Sequence, residues 1–341
     1  MINHSLIQRF LNAPESFSKS LNISTYEYDV TSLRKILHLR ELKEITGVDD
    51  KMIDFIDSLD FELGKLLPGI IQGHNLYSEY LAIERKILDT VDGVLYIYAK
   101  QSALSVLSLI LYKRNEFEQA IKITQECIIL NEFLVNKGMF TMNVRIYEQI
   151  KNITKIYHRA GQDQKGFQLA ADLFKYLYSG KPTSVNFYST IINNAELYKK
   201  TPILRETYTN DVFLIYLQEY MRFKNPSFTE LDWIENLDFE VFSEDRKFIF
   251  NWIYITKLFY KKNYDEYLEC LEFFLDDDVT TYYDLLKVNL LLHFKNFIGQ
   301  SDISKQNKEL IADNIEYYFK NNIGLNKNIL QNILNESYNP A

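Results

Sequence analysis

The chain has 341 residues, 47% hydrophobic and 25% charged, a composition that supports a folded core and excludes wholesale disorder. Its formal charge of −8 argues against a nucleic-acid partner, because that affinity depends on clustered Lys and Arg releasing counterions. Only 11 Gly and 6 Pro punctuate the chain, so long helices are expected over a sandwich or barrel.

In chain order, the opening Met1-Ile2-Asn3-His4-Ser5-Leu6 has no basic flank before a long apolar run. No secretory signal is expected, and the cytoplasm is the default compartment. Ile23, Tyr26, Tyr28 and Val30 alternate in a way compatible with extended chain. Residues 31–46 and 50–67 are predicted helices, with Thr31 and Asp49 or Asp50 as N-caps. Residues 1–92 are read as a distinct N-terminal helical region, because their pattern differs from that of residues 93–341. The most apolar stretch, Val94 to Leu111, contains Lys100, Gln101 and several serines, which argue against a bilayer span, so no membrane partner is expected.

From Val94 onward apolar residues return every three or four positions between short polar breaks. Leu104, Leu107, Ser108 and Leu111 share one helical face and precede the turn Tyr112-Lys113-Arg114-Asn115-Glu116-Phe117, then Ala120 and Cys127. Ser108, Ala120 and Cys127 are small where a larger side chain would hold two helices apart. Asn115 stands at a helix end, where it suits a left-handed cap. A second segment runs through Ile150, Ile153, Thr154 and Tyr157, turns at Arg159-Ala160-Gly161, and resumes through Gly166, Ala170 and Leu173, with Asp163 where the first has an aromatic. A third has Tyr254, Ile255 and Leu258, a turn with Lys262 at the glycine position, and Leu268 to Leu275, with Tyr267 at a small position. Residues 185–200, followed by Thr201-Pro202, form a degenerate pair.

These segments resemble tetratricopeptide repeats over residues 94–275. Asn115 and Gly161 lie 46 residues apart, against roughly 34 in the standard unit, which implies extended helices. The resemblance implies an all-α, TPR-like helix-pair solenoid or superhelix, with an N-terminal helical region and C-terminal capping helices. Its register implies a concave surface bearing Ser102, Ser105, Leu109, Tyr112 and Lys113 in the first unit. In the second it bears Glu148, Lys151, Lys155 and His158, and in the third Ile249, Trp252, Thr256 and Phe259. A surface with Lys and His donors beside apolar and aromatic groups suits a protein or peptide partner, as in a scaffold or adaptor. A sharper resemblance is to cytoplasmic peptide-sensing repeat regulators.

No catalytic residue, metal or cofactor is expected. His4, His38, His74, His158 and His293 never pair at i, i+4, and Cys127 and Cys270 are 143 positions apart. The alternative is a metal-dependent helical enzyme. Asp49-Asp50-Lys51-Met52-Ile53-Asp54 looks like the aspartate motif of class I terpene cyclases, and Asn210-Asp211-Val212-Phe213-Leu214 like half of their second motif. Leu214 and Gln218 replace the remaining ligands there, and helix capping explains both segments more simply.

Overall fold

A computed structural model describes residues 4–19, 30–180, 202–222, 247–277 and 281–325, with isolated positions at 189, 199, 327, 330, 331 and 333. The fold is all-α, with no strand among the described residues. The helices are α1 (Ser5–Asn12), α2 (Val30–Thr46), α3 (Asp50–Ile71), α4 (Tyr77–Thr90), α5 (Gly93–Lys113), α6 (Phe117–Asn136), α7 (Asn143–Arg159) and α8 (Asp163–Ser179). They continue with α9 (Pro202–Arg222), α10 (Lys247–Tyr260), α11 (Tyr264–Asp276), α12 (Asp284–Gln300) and α13 (Lys305–Asn322). The extended stretch read over 23–30 and the helix pair read over 185–200 lie almost wholly outside the described residues.

The chain divides into two compact units, one of residues 27–216 and one of residues 1–26 with 217–341. The division expected at 92/93 falls inside the first unit, where α3 and α4 both pack on α5. In that unit α5, α6 and α7 each also pack on the next. α5 is the described helix long and apolar enough to cross a bilayer, with a mean hydropathy of 1.5 in its most apolar window. Here its apolar side chains, among them Leu104, Val106 and Ile110, are buried in the unit's own core.

Close approach between α5 and α6 follows from small side chains. Ala120 and Cys127 are fully buried and Ser108 nearly so. The Ser108 hydroxyl donates to the Ala120 carbonyl at 3.2 Å and lies 2.6 Å from the Thr124 hydroxyl. Leu111, Ala120 and Ile156 form one core cluster with Leu107, Phe117 and Ile121 against it, joining α5, α6 and α7.

The turns that end these helices share one hydrogen-bond pattern. At Asn115 (φ 61°), Gly138 (φ 108°), Gly161 (φ 69°) and Lys262 (φ 60°) the backbone is left-handed. In each, the following residue's N–H reaches five residues back: Glu116 to Leu111, Met139 to Leu134, Gln162 to Tyr157 and Asn263 to Leu258, at 2.9–3.0 Å. The left-handed residue bonds three back, which satisfies carbonyls that a helix end leaves open. The first three turns recur every 23 residues, so one helix pair occupies 46.

A side-chain contact spans five residues across the turns in the three repeat segments. Tyr112 meets Phe117 edge-on at 6.3 Å, and Phe259 meets Tyr264 at 6.3 Å. In the second segment His158 Nδ1 lies 3.1 Å from Asp163 Oδ1, so an ion-pairing geometry stands where the others have two rings.

The other unit closes α1 onto later helices. Phe10 packs on Phe17 at 4.7 Å and Phe294 at 5.3 Å, while Asn314 donates to the Phe10 carbonyl and Asn322 to the Phe17 carbonyl. Arg9 pairs with Glu272 and Asp276 at 3.1 and 2.6 Å and lies 4.0 Å over the Phe17 ring. Lys287, fully buried, donates to the Leu275 and Asp277 carbonyls, placing its charge at the end of α11 where the helix dipole favours a cation.

Candidate functional site

The unit of residues 27–216 contains a cleft of about 690 Å³, within the range of ligand sites. Three helices wall it. Asp60 to Ile71 of α3 and Arg145 to Ile156 of α7 each contribute a twelve-residue span, α5 lines it from Tyr98 to Lys113, and Lys35 and His38 of α2 lie at one end. Side-chain contacts fix the direction of these spans. Asp60 meets α5 at Tyr98 and Ser102, while the Ile71 carbonyl accepts from Lys113 at 3.1 Å. Ser105 accepts from Gln149 at 2.9 Å near the start of α7, and Leu111 meets Ile156 near its end. The three helices therefore run the same way along the cleft for about 16 Å, from the eleven rises of about 1.5 Å across a twelve-residue span.

The sequence places polar and apolar groups at different positions along those spans. Near the first end, the Tyr98 hydroxyl donates to Asp60 Oδ2 at 3.2 Å, Ser102 also bonds Asp60, and Gln101 Nε2 donates to Ser102 at 2.8 Å. Arg145 pairs with Glu148 and approaches the Ser105 hydroxyl at 3.4 Å. Toward the other end lie Leu67, Ile71, Leu109, Tyr112, Lys113 and Lys155. Gly64 sits between them on α3, and a Cβ added there would meet no atom within 4 Å, so this position leaves the cleft its width.

Four cations, Lys35, Lys113, Arg145 and Lys155, and two carboxylates, Asp60 and Glu148, line the cleft, a local excess of positive charge in a chain of net −8. Burial pushes the Asp60 carboxyl above the ordinary carboxylate range, with the Ser102 hydrogen bond and the Arg145 charge opposing it. Burial also works against the Arg145 charge, yet the field of Glu148 and its other neighbours outweighs it and holds the guanidinium ionised. Behind Ser105, the buried Cys127 thiol is pushed up to about 11, which keeps it protonated and unreactive at neutral pH.

Of the residues expected on the concave face, Ser102, Ser105, Leu109, Tyr112, Lys113, Glu148 and Lys155 all line this cleft. Lys151 lies instead 3.8 Å from Asp211 and 5.2 Å over the Tyr208 ring, both on α9. His158 is buried, with Phe167 at 4.5 Å and Gly166 beneath its ring. Ile249, Trp252 and Phe259 belong to the other unit. There Ile249 and Trp252 are buried, the Trp252 indole N–H donates to Asn289 at 3.0 Å, and Phe259 stacks on His293 at 4.7 Å. Sequence reasoning missed the α3 wall, Asp60 above all. The available signal was Asp60 and Gly64 at i, i+4 on one face of α3, but other charged residues of that helix, such as Asp57 and Glu62, obscure it.

The aspartates of the metal-motif comparison have local roles. Asp49 caps α3, accepting from the Met52 N–H at 2.9 Å, Asp50 pairs with Lys43 at 2.5 Å, and Asp211 lies against Lys151. Among the described residues no three His, Cys, Asp or Glu side chains converge on one point. Comparison with protein-family models, with curated proteins and with solved structures gives no match to this chain.

Proposed function

We propose that the protein is a peptide-binding scaffold or peptide-sensing regulator of TPR-like helix pairs, and that the cleft between α3, α5 and α7 receives a short segment of its partner. The observation that carries this reading is the cleft itself. Three helices run in one direction along it, with hydrogen-bonding groups at one end and apolar and aromatic groups at the other. Such a surface suits a chain that carries a backbone to be hydrogen-bonded and side chains to be buried. The 23-residue recurrence of the turns and the small residues at Ser108, Ala120 and Cys127 support the helix-pair relationship.

The test uses a random heptapeptide phage library selected on the full chain. Gly64→Leu, which fills open space and replaces a mid-helix glycine, is expected to abolish capture of the enriched peptides while leaving the thermal melt equal or higher. Lys155→Glu is expected to weaken them at least fivefold, and Lys151→Glu to leave them within twofold, since Lys151 faces α9. Enriched peptides that bind Gly64→Leu as tightly as the unaltered protein would place recognition elsewhere.

A further inference from the structure

The polar end of the cleft has an imbalance between donors and acceptors. Lys35 is matched by Asp57 at 2.5 Å and Arg145 by Glu148. Asp60 is not matched among the described residues: none of their Lys or Arg nitrogens reaches it within 4 Å, and its hydrogen-bond donors there are the Tyr98 and Ser102 hydroxyls. A carboxylate accepts about four hydrogen bonds, so two remain open. Beside it, Gln101 is 2% exposed, spends its amide N–H on Ser102, and leaves Oε1 with no donor among the described residues. Both open groups are acceptors, and a cation docked beside the Asp60 carboxyl would favour its ionised form over the neutral one that burial favours. At the opposite end Lys113 lines the cleft beside Tyr112 and donates to the Ile71 carbonyl at 3.1 Å.

Resting on the peptide reading above, we propose that the cleft selects a dipolar segment, with an ammonium or guanidinium group docked between Asp60 and Gln101 and a carboxylate facing Lys113. A cation supplies the several N–H donors that this corner lacks, and its charge offsets that of Asp60. The length follows from the walls. Their 16 Å correspond to about five residues of extended chain at 3.3 Å each. The middle of the segment then lies against Leu67 and Leu109, which take apolar side chains.

The experiment measures fluorescence anisotropy of the full chain with three labelled pentapeptide pools. These are Lys-x-x-x-Glu, Gln-x-x-x-Glu and Lys-x-x-x-Gln, where x is Leu, Phe, Tyr or Val. The dipolar pool is expected to bind about tenfold tighter than either of the others, the scale of one charged hydrogen-bond set. In Asp60→Asn the preference for Lys over Gln is expected to vanish while the preference for Glu persists, and Lys113→Gln is expected to do the reverse. Acetylating the pool's amino terminus separates recognition of that amine from recognition of the Lys side chain. Equal binding of all three pools, with Gly64→Leu blocking each, overturns the dipolar inference and leaves the peptide reading standing. A preference for Lys that survives in Asp60→Asn also overturns it. Failure of every pool to bind overturns both.

Discussion

At the scale of single residues, two side chains sit where their chemistry works against the folded state. Lys262 holds a φ of 60° in a turn that elsewhere uses glycine or asparagine. A side chain other than Gly or Asn in that region costs roughly 1–2 kcal/mol. Lys262→Gly is therefore expected to stabilise the protein by about 1 kcal/mol in a urea titration, less the extra freedom glycine gives the unfolded chain. Asn115→Gly should gain less, because Asn tolerates the conformation. Asp60 is the second case. Its folded-state pKa is raised by burial, so its contribution to stability is complete below the ordinary carboxylate range and is lost as pH rises through the raised value. Asp60→Asn, neutral at every pH, is expected to raise the thermal midpoint at pH 7–8, with the gain shrinking toward pH 4. The groups facing Asp60 are Tyr98, Ser102, Lys35 and Arg145; a pH-independent difference between variant and parent would show that these fix its charge instead.

At the scale of elements, helix seams are set by what is missing from side chains. Ala120 is fully buried against Leu111 and Ile156, and its carbonyl accepts from Ser108. Ala120→Leu is expected to cost roughly 1–3 kcal/mol by overpacking, read from a chemical melt. Gly166 has a different cause for its size. A Cβ there would lie 2.7 Å from His158 Nε2, and that ring is itself held between Asp163 and Phe167. Gly166→Ala should destabilise by a similar amount, and a neutral melt would mean that His158 can swing aside. The helical class was legible because periodicity, scarce Gly and scarce Pro act locally. The left-handed turns at Asn115, Gly161 and Lys262 were legible for the same reason. The cleft was legible only along α5 and α7, whose registers follow from their own turns. Its α3 wall was not, because α3 carries no small-residue seam, and the meeting of Asp60 with Tyr98 depends on a contact 38 residues distant. Nor does periodicity separate an inward Lys155 from Lys151, one helical turn away. That difference depends on α9 supplying Tyr208 and Asp211.

At the scale of the whole molecule, the two units differ in how their cores are assembled from the chain. The unit of residues 27–216 is one continuous stretch, with sequential neighbours in contact from α3 to α8. The other joins α1 to helices more than 240 positions later, through Phe10, Phe17, Phe294 and Tyr318. Phe10 has no exposed surface, so Phe10→Ala is expected to cost about 3–5 kcal/mol of this unit's stability, measured by hydrogen exchange at α12 and α13. Unchanged protection there would show that α1 contributes no more than its ion pairs. During synthesis this arrangement imposes an order. Asn314, which bonds the Phe10 carbonyl, leaves the ribosome 304 residues after it, about 15–60 s at ordinary elongation rates. For that interval the apolar face of α1 waits without its mate, making that helix a natural place for a chaperone to hold.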